Sequence, residues 1–314
     1  MQPYVSTHHV GREWPNDCRQ AYTTRGQSAW LKADTKLCTI GSCFAVNFSR
    51  WIGEQGQPIV SPTWGLHYNS ATIRDELATS SGQSRHDIIW EVEGATGHQL
   101  FHDAKRHPVK AATREALIER MAQIADDGAS AIRQADAFIV TLGLSEIWEQ
   151  RTDAGWEALN RAPLFDHGVS KRGPVRNRFQ SVQEIVRDLS SMVESIDRCS
   201  PIQRPLVFTV SPVPLKTTGA EYDARIANSR SKSLLIAAVH EFIDVAGHSG
   251  RNQVAYFPAF EQFQYQDPSE GIWQRDRRHV MATKVDSVCR SFCELFAVDP
   301  KAYPSLPGFQ VPVV

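Results

Sequence analysis

The sequence predicts a three-layer α/β/α fold, in which helices cover both faces of a mostly parallel sheet. Apolar runs of strand length alternate along the chain with segments whose apolar residues recur at helical spacing, and this alternation is typical of parallel sheets. The run "AFIVTLG" at 137–143 is almost continuously apolar, as expected for a strand covered on both faces. At 314 residues, the chain can also bury a substantial core.

In the first half of the chain, two strand–helix pairs and one short strand are predicted. The strand "LCTIG" at 37–41 precedes a helix over about 43–54, and "QPIVSP" at 57–62 predicts a second short strand that ends in a turn-rich segment. A helix over about 113–134 leads into the strand at 137–143.

The second half continues the same alternation. A helix over 181–197 precedes the strand "PLVFTV" at 205–210, and a helix over about 222–245 precedes the strand "QVAYFPAF" at 253–260. The last predicted helix, 280–296, repeats apolar residues at spacings of three and four.

These elements predict one α/β/α domain over residues 35–298, with a polar arm at 1–34 and a tail at 299–314. Two stretches, near 80–110 and 150–180, fit the alternation poorly and are interpreted as insertions. Insertions beside strand ends often shape a binding site.

Composition narrows the class of protein. The net charge is −1, from 34 basic and 35 acidic residues, so no nucleic acid partner is expected. No apolar run approaches the roughly 18 residues that span a bilayer, and the N-terminus lacks the pattern of a signal peptide. We therefore expect no membrane span and a cytoplasmic location. The six cysteines form no CxxC pair, and the sequence leaves the oligomeric state open.

The turn "GSC" at 41–43 places two nucleophilic side chains between a buried strand and a helix. Unpaired amides and the positive end of the helix dipole would stabilise an oxyanion there, so Ser42 is a candidate nucleophile. Taken alone, the segment fits a helix N-cap role for Ser42 better. Cys43 is a rival nucleophile, because a helix N-terminus lowers the pKa of a thiol, although its side chain can equally point away from the strand end.

A nucleophilic serine needs a base, and the base needs an orienting group. Asp276 and His279 lie three residues apart in "WQRDRRHVM", just before the last helix. Alone, this pattern is typical of a solvated surface. In combination with a serine at a strand end, it indicates a Ser42–His279–Asp276 triad.

The stretch "TLGLSEIW" at 141–148 follows another buried strand. Ser145 can donate a hydrogen bond into the crevice at the strand ends, or it can be the N-cap of a helix that begins there. The segment favours neither alternative.

Three histidines occur in "GHQLFHDAKRHP". His98 and His102 have the spacing of metal ligands on a helix, but no cysteine accompanies them. We interpret His98, His102 and His107 as structural or solvated, predict no metal site, and keep His102 as a candidate substrate contact. Nucleotide-binding motifs are absent from the sequence.

Gly41-Ser42-Cys43-Phe44-Ala45 spells GSCFA, and the chain resembles the family of that name, which is similar to the SGNH (GDSL-type) hydrolases. The stretches "TLGLSEIW", "TVSPVPL", "ANSRSKSLLIAAV" and "RDRRHV" follow in the family's order, so the resemblance covers about residues 35–297. It implies a flavodoxin-like fold, Ser42 as nucleophile, an oxyanion-hole amide at Gly65, and Asp276 and His279 as orienter and base.

One motif departs from the SGNH pattern. Those hydrolases carry Gly-x-Asn-Asp in the third block, with the Asn side chain in the oxyanion hole, whereas this chain has Gly143-Leu144-Ser145-Glu146. Ser145 or Asn69 would have to replace that amide.

The resemblance implies a serine-dependent acyl-ester hydrolase or O-acyltransferase, acting without a cofactor on an acylated, for example acetylated, carbohydrate or glycan. The alternative is a catalytically weak or inactive protein of the same fold that binds glycans or assists their biosynthesis.

Overall fold

The computed structural model describes residues 22, 24, 28–83, 87–93, 98–163, 169–170, 173–200, 202–248, 253–266 and 271–311. The predicted arm at 1–34 lies mostly outside these residues. Its described end, at Leu31, pairs with Ala297 after the last helix.

Helices and strands alternate through most of the chain. The helices are α1 (Cys43–Glu54), α2 (Ser70–Ser80), α3 (Arg114–Gln134), α4 (Val182–Arg198), α5 (Ala224–His248), α6 (Glu261–Gln264) and α7 (Ala282–Phe296). The strands are β1 (Leu37–Gly41), β2 (Ile59–Val60), β3 (Ile89–Glu93), β4 (Gln99–Asp103), β5 (Lys110–Ala111), β6 (Ala137–Leu142), β7 (Glu146–Thr152), β8 (Gly155–Leu159), β9 (Val169–Ser170), β10 (Val175–Phe179), β11 (Leu206–Val210) and β12 (Val254–Phe257).

Five strands form one parallel sheet in the order β12-β11-β6-β1-β2. Numbered along the chain, these strands have the order 2-1-3-4-5, which is that of flavodoxin-like, doubly wound sheets. The predicted three-layer α/β/α fold is confirmed.

Helices bury both faces of this sheet. Successive strand residues point to opposite faces, so Leu37 and Ile139 pack with α1 and α7 on one side. On the other side, Val140 and Phe208 pack with α2, α3, α4 and α5. Every residue of β6 is buried, as its apolar sequence predicts.

Two small antiparallel sheets lie mainly within the two predicted insertions, and β9, from the second insertion, pairs with β3 of the first. One has the order β5-β4-β3-β9 and the other the order β10-β7-β8. The Trp90 indole on β3 donates to the side chain of Gln150 on β7 at 2.8 Å, so the two sheets contact each other. They lie close to the carboxyl ends of the central strands, where β7 begins four residues after β6 ends.

The structure decides two alternatives that the sequence left open, and it contains a helix on the central sheet that was not predicted. Ser145 is not the N-cap of a helix, because the strand β7 begins at the next residue. His98 and His102 are not on a helix, because β4 begins at Gln99, so their spacing does not place them on one face as metal ligands. The helix α2 was not predicted, since Ser70–Ser80 alternates polar and apolar residues weakly.

The tail beyond α7 packs against the same side as α1. Tyr303 and Phe309 are buried with the side chains of α1 and α7, and Asp286 on α7 accepts hydrogen bonds from Trp51 on α1 and Ser305 in the tail. Among the helices of the described residues, none is long and apolar enough to cross a membrane.

Candidate functional site

A cavity of about 450 Å³ lies at the carboxyl ends of β1 and β6. These neighbouring strands are where the winding of the sheet reverses, since β2 lies beyond β1 and β11 beyond β6. Open α/β sheets bind ligands at this switch point. The segments that follow β1, β2, β6 and β11 form the walls, together with residues 159–162. The volume suits a small-molecule ligand.

The turn from β1 into α1 requires glycine at its first position. Gly41 has φ +139°, and an added Cβ would lie 2.2 Å from the carbonyl oxygen of Thr141 on β6. A side chain at position 41 would therefore strain the backbone and push β6 away. Glycine at this position lets the turn lie directly against the end of the neighbouring strand.

Ser42 follows as the N-cap residue of α1, but its side chain does not cap the helix. The backbone is extended at this residue, with φ −80° and ψ −174°, and its carbonyl accepts the first helical hydrogen bond from the Ala45 amide. The side chain lines the cavity and is 3% exposed. Within the described part of the chain, nothing bonds to its Oγ. A hydroxyl at a helix N-terminus lies where an oxyanion would be stabilised, and it becomes a nucleophile when a base takes its proton.

Cys43 also lines the cavity, but its surroundings disfavour a thiolate. Burial raises the pKa of the Cys43 thiol above its ordinary value, although the Arg278 guanidinium nearby lowers it in part. The thiolate is the reactive form of cysteine. The effect expected from the helix N-terminus is thus outweighed by burial.

The predicted Asp276–His279 pair is formed. Both residues lie in a hairpin closed by the bridge between Trp273 and Val280. Asp276 Oδ1 accepts from the His279 amide at 2.9 Å, and Oδ2 meets His279 Nδ1. Backbone amides of His279 and Arg278 and the imidazole lower the pKa of Asp276 to about 2, so this carboxylate is ionised at neutral pH. At Arg277, φ is +55°, a left-handed conformation that is uncommon for residues other than glycine.

This hairpin lies beside the cavity, but His279 is not among the lining residues that the structure describes; its neighbour Arg278 is. The side chains of Asp276 and His279 are 47% and 55% exposed. The structure thus brings Asp276 and His279 together and leaves Ser42 without a hydrogen bond to either.

The segment after β2 crosses the sheet edge above β1 and β6. The His67 amide donates to the Gly41 carbonyl at 2.9 Å, and the Tyr68 carbonyl accepts from the Leu144 amide at 2.7 Å. Asn160, from the second insertion, holds this segment by accepting from the Tyr68 amide and donating to the Leu66 carbonyl. Because Asn160 and Tyr68 also line the cavity, the insertion shapes the site directly.

Gly65, expected to supply an oxyanion-hole amide, lies at the start of this segment. It has φ +74°, and an added Cβ would lie 2.7 Å from the carbonyl oxygen of His107. It lines a different cavity, beside α1 and β2. The structure does not place Gly65 on the wall of the cavity that contains Ser42.

The two side chains expected to replace the oxyanion-hole asparagine differ in position. Asn69 lines the cavity, and its side-chain oxygen caps α2 by accepting from the Thr72 amide. Its side-chain nitrogen donates to the Leu159 carbonyl at 2.9 Å, and this bond uses one of the two amide hydrogens. Ser145 is fully buried and lies outside the cavity wall. Its amide donates to Ser231 Oγ at 2.8 Å, and the two hydroxyls lie 3.3 Å apart.

The histidines of the first insertion occupy separate positions. His102 does not line the cavity, but its Nδ1 lies 3.4 Å from the guanidinium of Arg161, which does. His107 lines the cavity with a buried Nδ1 that has no partner among the described residues. Burial and the charge of Arg161 lower the pKa of His107, so its imidazole is neutral. Among the described residues, no group of His, Cys, Asp and Glu could hold a metal ion.

One face of α5 supports the floor of the cavity. Asn228 accepts from the Leu215 amide at 3.2 Å, and Ser231 accepts from Ser145 as described. Lys232 is 1% exposed and donates to the carbonyls of Gly143 and Ser211 at 2.8 and 2.6 Å. Positions 228, 231 and 232 lie on one side of a helix.

Burial lowers the pKa of Lys232 to about 7. A neutral amine still has two N–H donors, so both carbonyl bonds persist in either protonation state. Lys232 therefore joins the ends of β6 and β11 beneath the cavity.

A buried ion-pair cluster underlies the crossing segment. Glu76 on α2 receives two hydrogen bonds from the Arg106 guanidinium and lies 3.4 Å from His67 Nε2. Arg106 also bonds to Asp103 at 3.1 Å. All four residues are at most 2% exposed. Because the His67 backbone bonds to Gly41, this cluster supports the turn that carries Ser42.

Sequence reasoning missed Asn160, Arg161, His107 and Lys232 as parts of this site. Asn160 and Arg161 belong to the second insertion, whose sequence has no periodic pattern from which its structure could be predicted. Lys232 had one usable signal, a lysine on an otherwise apolar face in "SKSLLIAAV", since buried lysines are rare.

A family model described as the GSCFA family matches residues 36–292. The match covers most of the chain, and the protein belongs to the GSCFA family. No curated protein and no solved structure matches it.

Proposed function

We propose that this member of the GSCFA family is a serine-dependent acyl-ester hydrolase or O-acyltransferase that acts on an acylated carbohydrate. The observation that carries the proposal is Ser42 itself. This residue lines a cavity at the switch point of the sheet and holds the N-cap position of α1 without capping it, and its hydroxyl has no partner among the described residues.

In the proposed reaction, Ser42 Oγ attacks the acyl carbonyl carbon while its proton passes to His279 Nε2. The tetrahedral intermediate expels the alcohol, which takes the proton from His279 and leaves an acyl-enzyme. Water or a sugar hydroxyl then attacks the acyl group and gives its proton to His279, and Ser42 leaves with that proton. Asp276, bonded to His279 Nδ1, holds the tautomer that keeps Nε2 available.

The reaction requires His279 to approach Ser42 more closely than in this structure. Hydrogen bonds between catalytic groups are often long before substrate binds and tighten in the complex. The hairpin that carries His279 already contacts the cavity wall, because Arg278 Nε donates to the Pro214 carbonyl at 3.3 Å.

The backbone amide of Ser42 and the side-chain amides of Asn69 and Asn160 are the proposed hydrogen-bond donors to the oxyanion. The Ser42 amide lies at the positive end of α1. Asn69 and Asn160 each use one amide hydrogen in a bond to a carbonyl, so each retains a second hydrogen for a ligand. A donor of this kind typically contributes about 3 kcal/mol in the transition state.

A carbohydrate substrate is supported by the aromatic side chains of the wall. Tyr68 and Trp148 both line the cavity, and aromatic rings can pack against the apolar face of a sugar. Trp64 and Trp273, which follow other strands, have packing roles instead: Trp64 is 2% exposed and bonded to Ser80, and Trp273 packs on Phe263.

A fluorophosphonate probe and hydrolysis of 4-nitrophenyl acetate test the proposal. The wild type should be labelled on the peptide that contains Ser42, and Ser42→Ala should abolish labelling and lower turnover about a thousandfold or more. Ser190→Ala, on α4 and remote from the cavity, is the matched control. Labelling of Cys43, or undiminished turnover in Ser42→Ala, would contradict the proposal.

A second candidate function is non-catalytic glycan binding. It is favoured by one observation, the exposed position of His279 away from the cavity wall. Absence of labelling together with saturable binding of a sugar would support this alternative.

A further inference from the structure

We propose that the molecule accepted by this cavity carries a negatively charged group, bound between Arg161 and Arg278. That the molecule is an ester rests on the proposed function. The anion site itself rests on the arrangement of charges in the cavity.

Both guanidinium groups reach the same cavity from different directions. Arg161 comes from the second insertion and Arg278 from the hairpin before α7. Both charges act on the Tyr68 hydroxyl, where they oppose the rise in pKa that burial causes. Arg278 also acts on Cys43, the residue next to Ser42. A single small ligand could therefore contact both arginines and Ser42.

Neither guanidinium is paired with a carboxylate in the described part of the chain. The contacts of Arg161 and Arg278 are His102 Nδ1 at 3.4 Å and the Pro214 carbonyl at 3.3 Å. Burial lowers the pKa of Arg161, which means that its charge is poorly solvated. Arg106 and Arg178, in contrast, each bond to two carboxylates. A partly buried, unpaired guanidinium would be stabilised by an anionic ligand.

Glu146 is the one carboxylate among the described lining residues, and it is already satisfied. Its oxygens accept from the Gly219 amide at 2.7 Å, from Thr218 Oγ1 at 2.8 Å and from Asn177 Nδ2 at 2.9 Å. These donors are neutral, so the carboxylate keeps its charge, but Arg161, Arg278 and Lys216 place three positive charges on the described lining against this one negative charge. Although the whole chain has a net charge of −1, this cavity is positively charged.

The chemistry of the guanidinium group limits the anion. Its planar fork matches the geometry of a carboxylate or a phosphate and can bind either in a bidentate manner. Since the cavity holds about 450 Å³, the anion and the acyl group would belong to one small unit. An acylated uronic acid or an acylated sugar phosphate has both features.

Calorimetric binding of glucuronate, glucose 6-phosphate and glucose to the Ser42→Ala protein tests the inference without turnover. At least one anion should bind about tenfold to a hundredfold more tightly than glucose, as expected for charged hydrogen bonds. Comparison of glucuronate with glucose 6-phosphate shows whether the site prefers a carboxylate or a phosphate. Arg161→Gln and Arg278→Gln should each remove this preference. Arg225→Gln is the control, because Arg225 is 92% exposed and paired with Asp223.

Equal binding of the three ligands, or no binding of any, would overturn the inference, as would a preference that survives both substitutions. Arg161→Lys and Arg278→Lys keep the charge, so they should retain part of the preference and show that its loss does not come from misfolding. If Ser42 is labelled by the fluorophosphonate but no anion is preferred, only this inference fails. If an anion is preferred but Ser42 is neither labelled nor needed for turnover, only the proposed function fails.

Discussion

Replacing Glu76 by glutamine tests how much the buried ion-pair cluster beneath the Ser42 turn stabilises the folded protein. Glutamine keeps the size of the side chain and one acceptor oxygen but removes the negative charge. Arg106, which is 2% exposed, would lose its bidentate partner and keep Asp103 as its one carboxylate partner among the described residues.

The lowered pKa of Glu76 gives the loss of unfolding free energy that is expected for Glu76→Gln. Burial by itself would raise that pKa, but the nearby His67 imidazole and the two hydrogen bonds from Arg106 lower it from an ordinary value of 4.5 to about 2. A shift of this size corresponds to roughly 3 kcal/mol, because each pH unit is worth about 1.4 kcal/mol. This agrees with the roughly 3–5 kcal/mol expected when one partner of a buried ion pair is removed.

The sign of the pH dependence follows from the lowered pKa. The unfolded chain binds a proton at Glu76 below about pH 4.5, whereas the folded protein binds it only near pH 2. The stabilising contribution is therefore complete above pH 4.5 and is lost as the pH falls from there towards 2. The difference between wild type and Glu76→Gln should shrink over the same range.

Urea unfolding at pH 7, 4.5 and 3.5 measures this difference. Glu54→Gln is the matched control, because Glu54 pairs with Arg50 on the surface, where the two side chains are 41% and 46% exposed, and such pairs contribute less than about 1 kcal/mol. The reasoning is refuted if Glu76→Gln destabilises no more than Glu54→Gln, or if its effect is the same at all three pH values.

Four further substitutions test the site. Cys43→Ala should keep most of the esterase activity, because burial keeps the thiol protonated; an inactive variant would make the thiol the nucleophile. His279→Gln should lower turnover as much as loss of Ser42 does, since nucleophile and base act as a unit, and full activity would exclude it as the base. Ser145→Ala should reduce stability by about 1 kcal/mol, the value of a buried hydrogen bond, with turnover nearly unchanged; a tenfold slower variant of equal stability would restore its oxyanion role. Relative to Lys232→Met, the wild type should gain stability as the pH rises from 7 to 10.5, because the folded protein has released a proton that the unfolded chain still binds; a constant difference in urea midpoint would contradict this.

Much of the fold could be predicted because its signals are local. Helix α4, for example, was predicted at 181–197 and spans Val182–Arg198, since its apolar residues recur with helical periodicity. The continuous apolar run of β6 likewise predicted a strand buried on both faces. The GSCFA pentapeptide located the β1–α1 turn, and Gly41 explains why: only glycine fits both its φ and its contact with Thr141.

The sequence by itself therefore determined the five strands of the central sheet, the three layers and the position of Ser42 at a strand end, because each depends on periodicity or on one local turn. Only the tertiary structure decided which other side chains share the cavity with Ser42. Asn160 and Arg161 reach it from an insertion more than 100 residues away along the chain, and Lys232 supports its floor from α5. Of two adjacent residues, Arg278 lines the cavity and His279 does not. Such choices depend on contacts between distant segments and on side-chain direction in irregular loops, and neither leaves a periodic pattern in the sequence.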